Sequence, residues 1–572
     1  MNLRLYRTSW IVAGVGLIVA LLTLQSPVLQ SEPALPTAFD TGSALDLTAQ
    51  VERISRTRPA GGPANSATAD LVRNRLRAVP GARGGGAERV REQEFTARDA
   101  SGLLIRMRNV FLALPPTESG VRGGILVVAP RDTPTGVAAG ASSTGILLQL
   151  ARSRATTVRR RPVIFVSTDG SAVGNAGIRW FLSRFSDFSI SAALVLDAPG
   201  EGRSEDLHIW TRGGDTKSTL DLIPTVERAV ERAGAGASFD NGALTQLAVG
   251  ALPQTFGDQG PLIEAGIASV ALSNRPDSPL KDDFGPSRER VNIAGRTAAE
   301  LLSVLDAADT VREPEAGYWL NGRVLRTLPL RAVALLLLLP ALVLAADAWA
   351  RLRRSRKGAR GGFRALLTKV VALGAALIAA HLASLLGAFA GTAAGAPPLP
   401  AEVQFTPGAV LGVAIAIGVG VGAYVVMRRN APESDADDDV GAALALLAVL
   451  LVALWWINPF AAALAAPAAH AGALGARPHV PITAAALGLL LFVGPLLLLS
   501  GLAPRLDESV LFSAWYLVET TVSGARGLIL PALVVGITAC LWSLGEAIAR
   551  GWQPRPQRRR PQRRRRPRRA RA

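Results

Sequence analysis

Between residues 32 and 322, the side chains able to do chemistry gather at a few places along the chain. Arg131 and Asp132, Asp169 with Ser171, and Asp197 each follow a short apolar run, and Ser142, Ser143 and Thr144 lie between the first two. Carboxylates brought together can hold a metal or share a proton, and a hydroxyl beside a base can become a nucleophile. Imidazole is scarce: His208 is the sole histidine of the segment, so a Ser-His-Asp arrangement would have to use it. No nucleophile-elbow pattern lies near Leu207–Trp210, and a surface histidine on an edge strand or loop is the simpler reading. Ser142–Thr144 read as a helix entrance, where hydroxyl N-caps explain them without catalysis. That helix N-terminus, facing Arg131, is also a place for an anionic group. Asp132 and Asp197 are either ligand contacts or structural carboxylates bonding backbone or Arg131, and the structural role is favoured.

These groups need a frame. Asp46–Arg56, Ser66–Ala78, Thr144–Ser153 and Pro261–Ala265 have helical character, whereas Gly124–Ala129, Pro162–Thr168, Ile190–Leu196 and Ala268–Leu272 are apolar runs of buried-strand type. Strands alternating with helices predict an α/β domain, a mixed sheet covered by helices on both faces. Ligands in such folds bind beyond the carboxyl ends of strands. Those ends are residues 129–132, 168–171 and 196–199, where the candidate side chains lie.

The order of these segments resembles the M28 family of zinc aminopeptidases. The resemblance rests on VVAPRDTPTGVAAGASSTGILLQLAR, VIFVSTDGSAVGNAGIRWF, ALVLDAPG, GDQGPLIEAGIASVAL and SPLKDDFGPSRERVN, and covers roughly residues 40–306. It implies two zinc ions, two imidazole ligands and several carboxylates. Carried over by position, the first His ligand falls at Pro130 and the bridging carboxylate at Ala141. The general base falls at Ser171, a ligand Glu at Ala172 and the last His near Ser278. Asp132 and Asp197 are kept, and Arg131 would bring positive charge to the former metal position. The resemblance thus implies a degenerate cleft formed by Arg131, Asp132, Ser142, Asp169, Ser171 and Asp197, with no catalytic residue, metal or cofactor.

Charge bears on location. The chain has 572 residues and a net charge of +18; seven positive charges lie in Arg351–Arg364 and eleven in Arg555–Ala572, with no acid in either. Every other residue together sums to zero, so the basicity does not describe a nucleic-acid-binding domain. Apolar stretches long enough to cross a bilayer read as Trp10–Leu24, Leu328–Ala350, Leu366–Ala390, Pro407–Met427, Val440–Trp456, Val480–Leu502 and Gly527–Ile548, with Pro459–Leu474 as an Ala-rich, Pro-interrupted eighth. Eight crossings put the Arg-rich tail on the same side as Arg351–Arg364 and Arg428–Arg429, as positive-inside bias requires. The expected layout is a cytoplasmic N-terminus (1–8), an uncleaved signal anchor (9–25), an extracytoplasmic domain (32–322), a multi-span bundle (328–548) and a disordered cytoplasmic tail (549–572). The tail would meet anionic lipid headgroups, with the acidic stretch Glu433–Asp439 on the same face. Gly408/Gly412 and Gly418/Gly422 suit close helix packing in lipid, and Trp455 and Trp456 an interfacial anchor. His381 and His470 either mark a polar pathway or bond to neighbouring helices. One cysteine, Cys540, excludes an intrachain disulfide.

The whole layout resembles the GPI-attachment subunit of the GPI transamidase, in arrangement and ligand loss rather than in chemistry. The expected function is a membrane-anchored, non-catalytic M28-like binding or scaffold subunit, its cleft open to a peptide, lipid headgroup or protein partner. The alternative is a membrane-bound hydrolase with a site rebuilt around Asp132, Asp169 and Asp197, or with its catalytic site in the bundle. A transporter role is disfavoured by the lack of charge at the centres of the spans.

Overall fold

A computed structural model describes residues 3–27, 38–84, 87–118, 123–202, 206–239, 242–281, 283–354, 356–392, 396–429, 436–475, 481–524 and 529–551. The Arg-rich tail and residues 433–435 of the acidic stretch Glu433–Asp439 lie outside them. An eight-stranded mixed sheet forms the centre of the first half. Its strands are β1 (Val90–Arg98), β2 (Leu104–Leu114), β3 (Gly124–Pro130), β4 (Val163–Thr168), β5 (Ile190–Asp197), β6 (Leu207–Trp210), β7 (Ala237–Phe239) and β8 (Ala268–Ser273). In space the order is β7-β6-β8-β5-β3-β4-β2-β1. The inner strands β8, β5, β3 and β4 pair in parallel, while β1/β2, β2/β4 and β6/β8 are antiparallel. β3, β4 and β8 are buried at every position, as both-face coverage demands of Val/Ile/Leu runs.

Helices cover both faces. Helix α1 (Leu3–Leu22) precedes the domain; α2 (Thr41–Ile54), α3 (Pro63–Arg77), α4 (Ala141–Ala155), α6 (Ile223–Ala233) and α9 (Arg288–Ala307) supply one core. On the opposite face lie α5 (Ala176–Arg184) and α8 (Gln259–Glu264), which pack Ile178, Phe181 and Leu262 onto Leu126, Ile164 and Val195. The remaining helix of this half, α7 (Ala243–Ala251), turns away from the sheet toward the helical half. All four buried-strand runs and all four helical segments expected from sequence form, with shifted ends. The β1–β2 hairpin and α9 had no counterpart in that reading. The hairpin was hidden by its charged alternation (VREQEFTAR paired with LIRMRNVFL), in which Glu92 and Arg108 form ion pairs with Arg73 and Asp70 of α3.

The second half is a bundle of α10 (Thr327–Arg354), α11 (Arg356–Leu385), α12 (Pro407–Arg429), α13 (Ala436–Ile457), α14 (Pro459–Gly475), α15 (Pro481–Leu506), α16 (Val510–Val522) and α17 (Ile529–Gly551). Among the described residues, seven helices (α1, α10, α11, α12, α13, α15 and α17) are long and apolar enough to cross a membrane. α14 has 17 residues and sits deep in the bundle, with Ala462, Ala466, Ala469 and Ala473 in the core it shares with α10, α13 and α17. Cys540 is fully buried in that same core. α16, only 13 residues, was not expected from sequence.

Polar groups inside the bundle bond between helices. His381 meets the Val522 carbonyl at 2.8 Å, and His470 meets the Leu337 carbonyl at 2.8 Å and the Tyr6 hydroxyl at 3.2 Å. Trp10 stacks on His470, which ties α1 to α14. Lys369, buried near the middle of α11, donates to Ser543 (2.9 Å) and Glu546 (3.0 Å) of α17. Of the four glycines expected at helix contacts, Gly412 is the one in close approach, a Cβ there meeting Phe389 at 3.0 Å; Gly420, not foreseen, lies 3.1 Å from the Ala372 carbonyl by the same measure.

The two halves share a bonded seam. Asn458 is the single residue between α13 and α14. Its Oδ1 accepts from the Ala461 N–H (3.0 Å), and its Nδ2 donates to the carbonyls of Gly250 (2.9 Å) and Ala251 (3.0 Å) at the end of α7. Gly250 has no side chain because a Cβ would sit 2.5 Å from the Phe460 ring. Near the end of α15, Arg505 donates to Asp277 at 2.5 Å and to the Gln254 carbonyl. Lys281 pairs with Glu508 at 2.8 Å.

Candidate functional site

The carboxyl ends of β3, β4, β5 and β8 converge on a small open cleft with a cavity volume of about 40 Å³. Asp132, Ser171 and Asp197 line it, as do Ala198, Phe256, Arg275, Leu280 and Leu399. The strand-end rule thus located the cleft, but it grouped residues that the fold separates. Arg131, Ser142 and Asp169 lie behind the wall.

Asp132 sits two residues past β3 and reaches the turn between β4 and α5. Its two oxygens accept the N–H groups of Ser171 (3.0 Å) and Ala172 (2.9 Å). This is the backbone-bonding role, with amide rather than Arg131 partners. Burial, then the nearby Asp169 charge, pushes its carboxyl up to about 6, while the two amides and Arg131 pull the other way. Asp169 turns away from the cleft lining. There it accepts from Asn65 Nδ2 (2.6 Å), from the N–H groups of Gly61 and Arg108 (3.2 Å each), and from Arg131 Nη2 (3.3 Å). Arg131 is wholly buried with it and donates to the Ser167 carbonyl at 2.8 Å and to that of Arg108. Burial holds its pKa below the ordinary guanidinium value. The expectation that Arg131 brings charge to the cleft is therefore corrected: a planar guanidinium bonded through its two Nη atoms to carbonyls and one carboxylate is a core strut here.

The start of α4 also departs from expectation. Its N-cap is Gly140, at φ +75, and no side chain caps it. Ser142 and Ser143 lie inside the first turn and bond to the segment after β5. The Ser143 hydroxyl accepts the Ala198 N–H at 2.8 Å, and the Ser142 hydroxyl accepts that of Gly200 at 3.0 Å. The anion at this helix N-terminus comes from the chain itself. Glu201, fully buried, accepts the Ser142 N–H at 2.9 Å and its hydroxyl. Burial raises the Glu201 pKa, partly offset by those bonds and by Arg58.

Asp197 ends β5, next to Ala198, a non-glycine residue at φ +48. Both oxygens of Asp197 face the guanidinium of Arg275 at 3.3 Å. Arg275 lies over the Trp210 ring, 5.1 Å from its centroid, and donates to the Ser278 carbonyl at 3.0 Å. Arg275 and Leu399 were both missing from the sequence reading. Arg275 had a signal, since it is two residues past Ser273 at a fourth strand end. Leu399 had none: it belongs to the segment joining α11 to α12, which the fold folds back over the cleft. Asp258, also missed, is fully buried beside the cleft. It accepts the Thr168 hydroxyl at 2.7 Å, and its other oxygen lacks a partner within hydrogen-bond geometry. Burial first, with Asp132 and Asp197 adding to it, pushes its carboxyl up to about 7.

His208 lies on β6, an inner strand rather than an edge or loop, opposite Ser273 in register and outside the cleft lining. Among the described residues, no three His, Cys, Asp or Glu side chains are placed together to hold a metal ion.

No family model matches the chain, and no curated protein matches it. Several solved structures do. A zinc aminopeptidase from Bacillus subtilis aligns at 13% identity and TM-score 0.37, over 48% of this chain and 98% of its own. A leucine aminopeptidase precursor from Bacteroides thetaiotaomicron aligns at 16% identity and TM-score 0.37, over 48% and 99%. A glutaminyl cyclase from an Acidobacteriales bacterium aligns at 18% identity and the same TM-score, over 48% and 99%. What this chain is similar to in these proteins is the fold of its α/β half.

Proposed function

We propose that the chain is a membrane-anchored, peptidase-like protein without peptidase chemistry, acting as a binding or scaffold subunit through the cleft above β3, β5 and β8. The observation that carries this is the state of the two carboxylates kept from the M28 pattern. Asp132 is held by two backbone amides, and Asp197 by the Arg275 guanidinium. A guanidinium supplies Asp197 with the positive charge that a metal would otherwise bring, and the other pattern positions, Pro130, Ala141, Ser171, Ala172 and Ser278, carry no metal donor suited to zinc. The residues present do not fit a zinc pair. A hydrolase rebuilt around Asp132, Asp169 and Asp197 is disfavoured, because Asp169 is bonded to Asn65, Arg108 and Arg131 behind the wall. The apolar rim of Phe256, Leu280 and Leu399 suits a peptide or protein segment.

An extracytoplasmic α/β domain with both termini in the cytoplasm is part of the same reading. Asn458 at the head of α14 and Arg505 near the end of α15 both touch the α/β half. This supports α14 running away from that half and α15 returning to it, hence eight crossings. The resemblance in layout to a transamidase subunit supports an assembly role.

The full chain purified in detergent should contain far less than one zinc per molecule and should not release amino acids from N-terminal amides. Stoichiometric zinc, lost together with aminopeptidase turnover in an Asp132→Ala/Asp197→Ala variant, would overturn the proposal.

A further inference from the structure

The bundle contains a second and larger space, lined by none of the cleft's polar groups. Residues of α13, α14, α15, α16 and α17 line a cavity of about 540 Å³, closed at one end by Ala251 and Leu252 of the α/β half. Ligand pockets commonly hold about 300–1,000 Å³, and protein interiors tolerate few voids larger than a water molecule. A gap of this size in an otherwise packed bundle calls for an occupant. No charged side chain lines it, and its lining hydroxyls belong to Thr521 and Thr538. Thr521 already donates to the Leu517 carbonyl at 2.7 Å. Such a lining cannot order water, which needs two to four polar partners. The floor is buried (Leu451, 2% exposed), whereas Val534 of α17 (49%) and Val518 of α16 (40%) stand exposed at the side. The chamber is therefore open laterally, toward whatever surrounds the bundle. Around helices long and apolar enough to cross a bilayer, that medium is hydrocarbon.

We propose that this chamber is a lipid-binding site taking the acyl chains of a bilayer phospholipid, which enter sideways past α16 and α17. The proposal rests on the membrane reading of the apolar helices. It also bears on the cleft: Leu252 closes the chamber, and Phe256, four residues on, lines the cleft. The segment 252–256 thus has acyl chain on one side and the candidate ligand site on the other.

The test is photocrosslinking of the full chain, reconstituted in phosphatidylethanolamine/phosphatidylglycerol vesicles that carry a phospholipid with a mid-chain diazirine. Crosslinks are expected on inward-facing Leu451, Ala465 and Thr521, as well as on the outward residues Ile417 and Val421 of α12. Filling the chamber by Ala465→Trp, or separately by Thr521→Trp, should abolish the inner crosslinks and leave those on α12, which also report that each variant is folded and embedded. Label on α12 with none on Leu451, Ala465 and Thr521 would overturn the site alone. Absence of label on α12 as well would remove the membrane reading and the site with it. Inner crosslinks that persist in both filled variants would also overturn it.

Discussion

Asp258 is a buried acid whose nearest charged influences are other acids, and it titrates near neutrality for that reason. Its folded pKa of about 7 lies above the ordinary 3.8, and that of Asp132, about 6, is raised in the same sense. Between about pH 4 and pH 7 the folded chain therefore holds protons that the unfolded chain has released, so stability falls as pH rises through that window. Asp258→Asn keeps an acceptor for Thr168 and removes the titration. The variant should match the parent near pH 4 and exceed it at pH 8, by up to about 4 kcal/mol at roughly 1.4 kcal/mol per unit. Melting curves of the full chain across pH 5 to 8 decide this; parallel curves for parent and variant would refute it. Arg275→Ala strips a mostly buried carboxylate of its partner and should cost about 3 kcal/mol, read as a lower melting temperature, with Asp197→Asn in the same chain restoring part of the loss. At this scale the sequence was half legible. Strand ends revealed Asp132 and Asp197, but nothing in the text distinguished Asp169, one residue past β4, as facing backward. That depended on which side the Asn65 and Arg108 partners lay.

Elements joined by single residues make sharper predictions. Asn458 caps the start of α14 and also binds the last carbonyls of α7, so one side chain satisfies groups that both helix ends would otherwise leave unpaired. Asn458→Ala should lower stability by about 1–3 kcal/mol and raise the rate at which protease cuts the chain near residue 252. Gly250→Ala should do at least as much harm, since its methyl group would enter the Phe460 ring; an unchanged protease pattern in both variants would mean the seam does not couple the halves. These contacts were invisible beforehand because α7 (ALTQLAVGA) reads as an ordinary apolar helix and Asn458 as a turn residue. The apolar runs of the inner strands were readable, because burial on both faces leaves no other composition. The β1–β2 hairpin was not, since its charges make a solvated face that resembles a loop.

For the molecule as a whole, eight crossings predict which parts face outward. Cysteines introduced at Ser101, in the α/β half, and at Arg353, at the end of α10, should differ: a membrane-impermeant maleimide added to intact cells should label the first and spare the second. The reverse pattern would invert the topology, and equal labelling would discard it. At this scale the apolar runs were legible as helices long enough to cross a membrane, whereas the proposed orientation rests on the two Arg-rich segments, because helix length alone, with α14 at 17 residues, leaves the parity undecided. Such labelling is clean for a reason lodged in α17. Cys540 is the chain's one thiol and has no exposed surface, so the folded protein is chemically silent and every introduced cysteine speaks alone. The same residue serves as a stopwatch. Its first reaction with a permeant thiol dye marks the moment the bundle opens, and protease cutting within the α/β half, sampled along the same heating run, tells which half yields first.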